Sequence, residues 1–146
     1  MIEMVSGHNL DEVLPLIRNY QEFYNVADIS DTKNKEFFSR FGESNPAGCQ
    51  FIFRENYRVV GFATVYFTYT STIVSKVAVL SDLYTLPEVR GEGVGKKLIE
   101  HCKSFASLNG ASRLQWVTAP ENKQAQKLYD SLDTGKSTWH FYTYST

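Results

Sequence analysis

The feature that most constrains the fold is a run of three alternating glycines between a β-rich stretch and an amphipathic helix. Residues 50 to 85, before the glycines, are rich in Val, Ile, Phe, Tyr and Thr, which favours strands. After the glycines, apolar residues recur at helical spacing, namely Val94, Leu98, Ile99, Cys102, Phe105, Ala106 and Leu108. Gly91, Gly93 and Gly95 let a ligand approach the backbone, and the first helical turn offers free N–H groups. The junction therefore predicts an anion-binding turn.

Two common phosphate-binding loops do not fit this junction. A Walker A loop needs a glycine where this chain has Arg90 and a Ser or Thr where it has Lys97. A dinucleotide-binding fingerprint needs a glycine at Lys96 or shortly after it. The alternatives that remain are a different anion-binding loop, with Arg90 and Lys96 as counter-charges, and a glycine-rich turn that binds nothing.

The order of predicted elements indicates an α+β fold. Apolar periodicity, caps and turn residues predict a strand at 2–6, helices at about 9–24 and 31–41, strands at 50–55, 58–69 and 72–85, a helix from 94 to about 109, a strand at 113–118, a helix at about 122–132 and a last strand at 137–144. Asn9 is the expected N-cap of the first helix, Pro15 is expected to bend it, and Phe37 and Phe38 are expected to face inward. We expect one domain over residues 1–146, with a central mixed, mostly antiparallel twisted sheet flanked by helices.

Charge and hydropathy argue against several classes of partner. Lys and Arg number 15 against 16 Asp and Glu, a formal charge of -1, so the chain lacks the general positive field expected of a nucleic-acid-binding protein. No apolar run is long enough to span a membrane, and the first twelve residues carry acids but no Lys or Arg. We therefore expect a cytoplasmic protein that binds neither nucleic acid nor membrane.

Cysteine and histidine usage predicts neither a disulfide framework nor a metal site. Cys49 and Cys102 are far apart in sequence and form no CxxC pair. His8, His101 and His140 are scattered and match no ligand spacing. We expect both cysteines to be small structural residues and no metal to be bound.

The segment from Arg90 to Gly95 resembles the acyl-CoA loop of the GNAT superfamily of N-acetyltransferases, written Q/R-x-x-G-x-G/A. Farther along, Asn122 to Tyr129 is similar to the Asn-x-x-Ala-x-x-x-Tyr helix of that family, in the same order along the chain. The resemblance covers roughly Val59 to Tyr144. Within it, Asp82 to Tyr84 and Trp139 to Tyr142 are similar to the branch that contains diamine and spermidine/spermine N-acetyltransferases.

The resemblance implies transfer of acetyl from acetyl-CoA to a primary amine, by direct attack in a ternary complex, in a protein expected to form a homodimer. No nucleophile with a partnered base is visible in the sequence, which agrees with direct attack. In the family, the strand before the loop, the loop itself and the later helix hold the acyl-CoA. The residues implied here are Leu83, Tyr84, Thr85, Arg90, Gly91, Glu92, Gly93, Val94, Gly95, Lys96, Asn122 and Tyr129.

Two residues are expected to move protons. Tyr129 lies two helical turns after Asn122, on the same face, and a phenol of pKa about 10 is suited to protonate a leaving thiolate. The alternative is that Tyr129 is an ordinary core aromatic. Asp82, or a water near Ser81, is expected to deprotonate the amine; Ser81 stands where the polyamine branch commonly has Glu.

Residues of the first two helices are the expected acceptor site. Aromatic rings and carboxylates suit a cationic amine, and the candidates are Tyr20, Glu22, Phe23, Tyr24, Asp28 and Asp31. The alternative assigns the tyrosines to the helix core and the acids to solvent or caps. Trp139, Phe141 and Tyr142 are expected in strand packing or dimer contacts.

Two other functions stay open at this point. A protein with the same loop but without turnover would be an acyl-CoA sensor. A protein that pairs through an exposed edge strand and an aromatic C-terminus would be an interaction module, and it would not bind CoA. The segment from Asp133 to Gly135 also departs from the usual family pattern after the tyrosine.

Overall fold

The computed structural model describes residues 1–42 and 45–146. These residues form two compact units, Met1–Trp116 and Val117–Thr146, and each is described by itself. The expectation of one domain over residues 1–146 stays a prediction.

The first unit is built on a five-stranded sheet. Its strands are β1 (Ile2–Met4), β2 (Gly48–Glu55), β3 (Arg58–Thr70), β4 (Ser75–Thr85) and β5 (Leu114–Gln115). They lie in the order β1-β2-β3-β4-β5, with every neighbouring pair antiparallel except β4 and β5. Strand alternation places Phe62 on one face and Ala63 on the other. The predicted α+β fold with a mixed, mostly antiparallel sheet is confirmed.

Helices cover both faces of this sheet. The helix α1 (Leu10–Phe23) is followed by α2 (Asp31–Phe38), and α3 (Val94–Leu108) follows the glycine junction. Tyr20 of α1 packs edge-on against Phe62, whose ring centroid is 5.8 Å away. On the opposite face, Phe105 of α3 lies 5.0 Å from Phe51 of β2. The site described below lies on the α1 face, beside the end of β4.

Several predicted details are wrong. The helix α2 ends at Phe38 rather than residue 41, and Phe37 beside it is 44% exposed instead of facing inward. Leu108 is 87% exposed because it lies in the last turn of α3, beyond the buried stripe that ends at Ala106. The strand β4 begins at Ser75, because residues 71–74 form the turn from β3. Pro15 lies inside α1, which continues through it.

The caps of α1 and of the second unit's helix differ from each other. Asn9 is the N-cap of α1, as predicted, but its side chain accepts a hydrogen bond from the Ser6 N–H at 2.8 Å rather than from the helix. In the second unit, α4 (Lys123–Asp130) begins after Asn122, whose Oδ1 accepts from the Ala125 N–H at 3.2 Å. Asn122 therefore acts as a true side-chain cap.

The predicted last strand at 137–144 is not formed. Trp139, Phe141 and Tyr142 lie in a segment without regular structure and are 85%, 88% and 88% exposed, so they do not pack in a strand. Alternating aromatic residues favour a strand only where a neighbouring strand accepts their backbone hydrogen bonds. The expectation of strand packing for these residues is therefore wrong.

Candidate active site

The glycine junction forms a turn in which most backbone amides have no acceptor among the described residues; the Glu92 amide, which donates to the Val89 carbonyl at 3.3 Å, is the exception. Gly91 and Gly93 have φ angles of 84° and 85°, in the left-handed region that residues with a Cβ rarely adopt, and Gly93 is the N-cap of α3. Within the described residues, five amides of the turn have no hydrogen-bond acceptor. They belong to Gly91, Gly93, Val94, Gly95 and Lys96. The first internal bond of the helix comes from Lys97 N–H to the Gly93 carbonyl at 3.0 Å. These amides and the helix dipole make the turn suited to an anion such as a phosphate.

The side chains of the turn have three different environments. The Arg90 Nε donates to the Thr85 carbonyl at 3.2 Å, and its guanidinium lies 5.6 Å from the Tyr84 ring centroid. Lys96 is exposed and its positive charge can meet a negative ligand, whereas Glu92 is exposed but carries a negative charge. Val94 is buried, so only its backbone faces the turn. Arg90 thus braces the end of β4 while keeping other N–H groups for a ligand.

The strand β4 carries an extra residue just before this turn. Thr64 lies opposite Asp82, whereas Val65 lies opposite Leu80, so Ser81 has no partner on β3 and forms a β-bulge. The bulge puts Asp82 on the same face as Tyr84, toward α1, while Leu80 belongs to the other face. A single inserted residue therefore aims the carboxylate into the site.

The Asp82 carboxyl is held in a partly dehydrated environment. Burial raises the pKa of Asp82 above its usual value, and hydrogen bonds from the Thr64 and Tyr20 hydroxyls offset only part of that rise. The Tyr20 hydroxyl also lies 3.4 Å from the Ser81 carbonyl oxygen, so α1 contacts the bulge directly. A carboxylate with a raised pKa is a better proton acceptor than an exposed one.

Tyr66 is a further hydroxyl near this carboxylate. Burial, and then the negative charge of Asp82, raise the pKa of Tyr66 to about 12. Its ring covers Gly48, where an added Cβ would lie 2.8 Å from the Tyr66 Cδ1 atom. Tyr66 therefore stays protonated, and Gly48 is required for its position.

Aromatic rings from three elements meet beside Asp82. The Tyr20 ring centroid lies 4.9 Å from that of Tyr24, 5.8 Å from that of Phe62 and 6.3 Å from that of Tyr84, all in edge-to-face geometry. Such faces attract an ammonium group. The structure thus brings together Tyr20, Tyr24, Tyr84 and Asp82 from the predicted set.

The other predicted acids do not join this cluster through any contact among the described residues. Arg18 pairs with Glu22 at 3.4 Å and with Asp31 at 2.9 Å, so their charges are already compensated. Asp28 is exposed, with a left-handed φ of 54°. Phe23 is 53% exposed.

The two site residues predicted on the later helix, Asn122 and Tyr129, belong to the second unit. Asn122 uses its Oδ1 for the cap, which leaves its side-chain N–H groups for other partners. Tyr129 is half-buried in α4. The roles implied for these two residues stay predictions.

In residues 1–42 and 45–146, no group of three His, Cys, Asp or Glu side chains is arranged to hold a metal ion. Over the same residues, no helix has both the length and the apolar character needed to cross a membrane. Cys49 and Cys102 are both buried, as expected for structural residues.

Sequence reasoning missed Thr64, Tyr66 and Phe62 because each looks like an ordinary strand residue. Their common signal is alternation, since all three lie at even positions of β3 and so on one face. Periodicity alone does not place Asp82 on that face, because the bulge at Ser81 shifts the register by one residue.

The chain is similar to known acetyltransferases. The model of the acetyltransferase (GNAT) family matches residues 14–133. The uncharacterized N-acetyltransferase YhfO of Bacillus subtilis (strain 168) is 33% identical over 118 residues, which cover 81% of this chain and 78% of that protein. The thialysine N-epsilon-acetyltransferase of Bos taurus is 36% identical over 90 residues, 59% of this chain but only 52% of that protein. The crystal structure of a probable acetyltransferase superposes with a TM-score of 0.86 at 25% identity, covering 100% of this chain and 97% of the other.

Proposed function

This chain belongs to the acetyltransferase (GNAT) family, and from that premise we propose that it transfers acetyl from acetyl-CoA to a primary amine by direct attack in a ternary complex. The observation that carries the proposal is the position of Asp82. Its desolvated carboxylate lies among aromatic rings, and Thr85 is three residues further along the same strand, about 10 Å at the usual strand rise. A proton acceptor and an anion-binding turn therefore lie at one end of β4.

The turn supports binding of the CoA pyrophosphate. Its unpaired amides, those of Gly91 and of Gly93 to Lys96, supply several donors to one anion, and the exposed Lys96 adds a positive charge. Arg90 holds the strand end through Thr85 and offers its remaining N–H groups. We propose that the pantetheine arm lies along the backbone of Leu83, Tyr84 and Thr85; the acyl-CoA-binding roles of Asn122 and Tyr129 are proposed from the family resemblance.

The proposed reaction needs three proton movements. Asp82, directly or through one water, takes a proton from the ammonium form of the acceptor and later releases it to solvent, and the free amine attacks the thioester carbonyl carbon. A C–N bond forms and the C–S bond breaks, which releases the CoA thiolate. Tyr129 donates its phenolic proton to that thiolate, and the second proton, which the attacking nitrogen loses as the amide forms, passes through solvent and reprotonates Tyr129.

The acceptor proposed here is a small molecule with an amine on an aliphatic arm. The aromatic faces of Tyr20, Tyr24 and Tyr84 suit the ammonium group and the methylenes next to it. The bovine relative is named for the N-epsilon amine of thialysine, which is one acceptor of this kind. A diamine or spermidine is the finer proposal from the motif resemblance. Glu22 and Asp31 are paired to Arg18 and Asp28 is exposed, so we propose Asp82, which lies beside the aromatic rings, as the acid that receives the cationic end.

The test is a thiol-release assay with acetyl-CoA and a panel of amines, combined with calorimetric titration of acetyl-CoA. The panel holds thialysine, lysine, spermidine, a diamine and lysyl peptides. We expect saturable binding and CoA release with one amine class, and a loss of roughly 10²-fold or more in kcat for Asp82→Asn. Binding without turnover on any amine would favour an acyl-CoA sensor instead, and no binding would favour an interaction module.

We also propose that residues 1–146 act as one cytoplasmic domain that forms a homodimer. The exposed Trp139, Phe141 and Tyr142 are the apolar surface that supports this proposal. Sedimentation equilibrium of the wild type and of a variant with all three changed to Ser gives the test. A monomeric wild type contradicts the homodimer.

A further inference from the structure

We propose that Gln50 and Thr64 are positioning residues for Asp82, forming a row of polar side chains across three strands that orients the base. This inference rests on the proposed function. Gln50 lies opposite Thr64 across β2 and β3, and Thr64 lies opposite Asp82 across β3 and β4. Side chains of directly opposed residues on one face of a sheet are close enough to contact each other.

The hydrogen-bond directions along the row are fixed by the number of protons available. Gln50 Nε2 donates to the Thr64 Oγ1 atom at 3.1 Å. A threonine hydroxyl has one hydrogen, and an ionised carboxylate only accepts. With its oxygen occupied by the Gln50 donor, the Thr64 hydroxyl directs that hydrogen to Asp82, in agreement with the hydrogen bond that lowers the pKa of Asp82.

Stability does not account for the glutamine. Gln50 is completely buried, and its Oε1 atom has no hydrogen-bond partner among the described residues. A buried amide oxygen without a donor disfavours folding, so an apolar side chain of similar size would serve the core better. What the glutamine supplies is the donor that holds the Thr64 hydroxyl in one orientation.

The surroundings of Asp82 leave little else to change its charge. Among the described residues, the titratable side chains that we place on this face near Asp82 are Tyr20 from α1, Tyr66 from β3 and Tyr84 from β4. The pKa of Tyr66, at about 12, keeps that hydroxyl neutral across the working pH range. Changes at Thr64 therefore act on the carboxylate itself.

The experiment follows the Asp82 carboxyl directly, by carbon NMR of protein labelled at aspartate, with the signal assigned through Asp82→Asn. Thr64→Val removes the hydroxyl at constant shape, and we expect the Asp82 midpoint to rise by about one pH unit. Thr64→Ser, which keeps a hydroxyl at this position, should have the wild-type Asp82 midpoint. Gln50→Met should also raise the Asp82 midpoint, by less than Thr64→Val does, and it should not lower the melting temperature.

The double variant Gln50→Met/Thr64→Val gives the decisive comparison. If Gln50 acts through Thr64, the double variant matches Thr64→Val alone, and the acidic limb of the kcat/KM profile moves with the NMR midpoint. Thr68→Val, at an exposed position of the same strand, is the control that leaves both unchanged. The row is refuted if folded Thr64→Val keeps the wild-type midpoint, or if the Gln50→Met shift persists in the Thr64→Val background. Because NMR needs no turnover, a protein that acetylates no amine would refute the proposed function without affecting this test.

Discussion

The Tyr20 hydroxyl crosses from α1 to within 3.4 Å of the Ser81 carbonyl oxygen, at the bulge of β4. The same hydroxyl contacts the neighbouring Asp82 carboxylate. One hydroxyl of the helix, with a single hydrogen to donate, therefore lies beside both the bulge and the acid that the bulge orients. The site depends on the packing of α1 against the sheet as much as on the strand itself.

The raised pKa of Asp82 predicts a conflict between stability and activity. In the unfolded chain Asp82 has its usual pKa, and in the native chain its pKa is higher. The free energy of unfolding therefore falls as the pH rises from the unfolded-state pKa through the native-state pKa. We expect Asp82→Asn to raise the melting temperature at pH 7 by a few degrees, with the gain disappearing below about pH 3 as both states become protonated. Thermal unfolding at the two pH values measures this. Asp133→Asn, at an exposed position, is the control; an Asp82→Asn variant less stable than wild type at pH 7 would contradict the account.

The left-handed conformation of Gly93 predicts a cost for any side chain there. Its φ is 85°, and no atom lies within 4 Å of an added Cβ, so Gly93→Ala introduces backbone strain without a clash. We expect a loss of about 1 kcal/mol in the free energy of unfolding and a weaker affinity for CoA, because the amides of the turn are redirected. Gly7→Ala has equal space and no such φ, and it should change neither quantity. Unaltered CoA affinity in Gly93→Ala would show that the amides do not bind the ligand.

The proposed role of Tyr129 predicts an effect on the chemical step. Tyr129→Phe removes the phenolic proton, and we expect kcat to fall roughly 10²-fold with little change in the KM for acetyl-CoA, as for an interaction made mainly in the transition state. Tyr57→Phe is the matched control, since Tyr57 is 97% exposed at a hairpin tip. An unchanged kcat would remove Tyr129 from the mechanism.

An ion cluster away from the site predicts acid sensitivity. Arg54 Nε lies 2.7 Å from a Glu3 oxygen, and this contact is the main reason that the pKa of Glu3 is lowered. An acid with a lowered pKa adds stability above its usual pKa, and that stability is lost as the pH falls through the folded-state value. We expect Glu3→Gln to cost less than about 1 kcal/mol at pH 7, since the pair is partly solvated.

The matched control for this cluster is Glu36→Gln, whose partner Arg40 is 3.9 Å away on an exposed helix surface. It should leave the unfolding free energy unchanged. Urea unfolding from pH 7 to pH 3 follows both variants. A Glu3→Gln deficit that persists at the lowest pH would show that packing, not charge, holds Glu3.

The glycine junction and the general fold could be predicted because their signals are local. Gly91 and Gly93 adopt the positive φ angles that the turn requires, and the helical spacing of apolar residues after Gly93 identifies α3. The order of strands and helices then leaves few arrangements. Asp82 was predicted from the motif next to the junction and Tyr20 from the stripe of α1; the structure brings their side chains into contact, and their roles stay predictions.

The partners of Asp82 could not be predicted from the sequence, because they depend on the pairing register of the strands. The extra residue Ser81 decides which face Asp82 takes, and no periodicity marks a single insertion. Gln50 and Thr64 can be linked to Asp82 only once the register is known, because Gln50 lies opposite Thr64 and Thr64 lies opposite Asp82. In the second unit, the aromatic residues at 139–142 have a strand-like pattern but do not form a strand.

The most direct test of the central claim is the initial rate of CoA release from acetyl-CoA across the amine panel, for wild type and Asp82→Asn side by side. We predict that one class of small primary amine accelerates CoA release by the wild type, that the product is the N-acetylated amine, and that Asp82→Asn binds acetyl-CoA normally but loses roughly 10²-fold or more of the rate. A wild type that binds acetyl-CoA but acetylates none of these amines would contradict the claim.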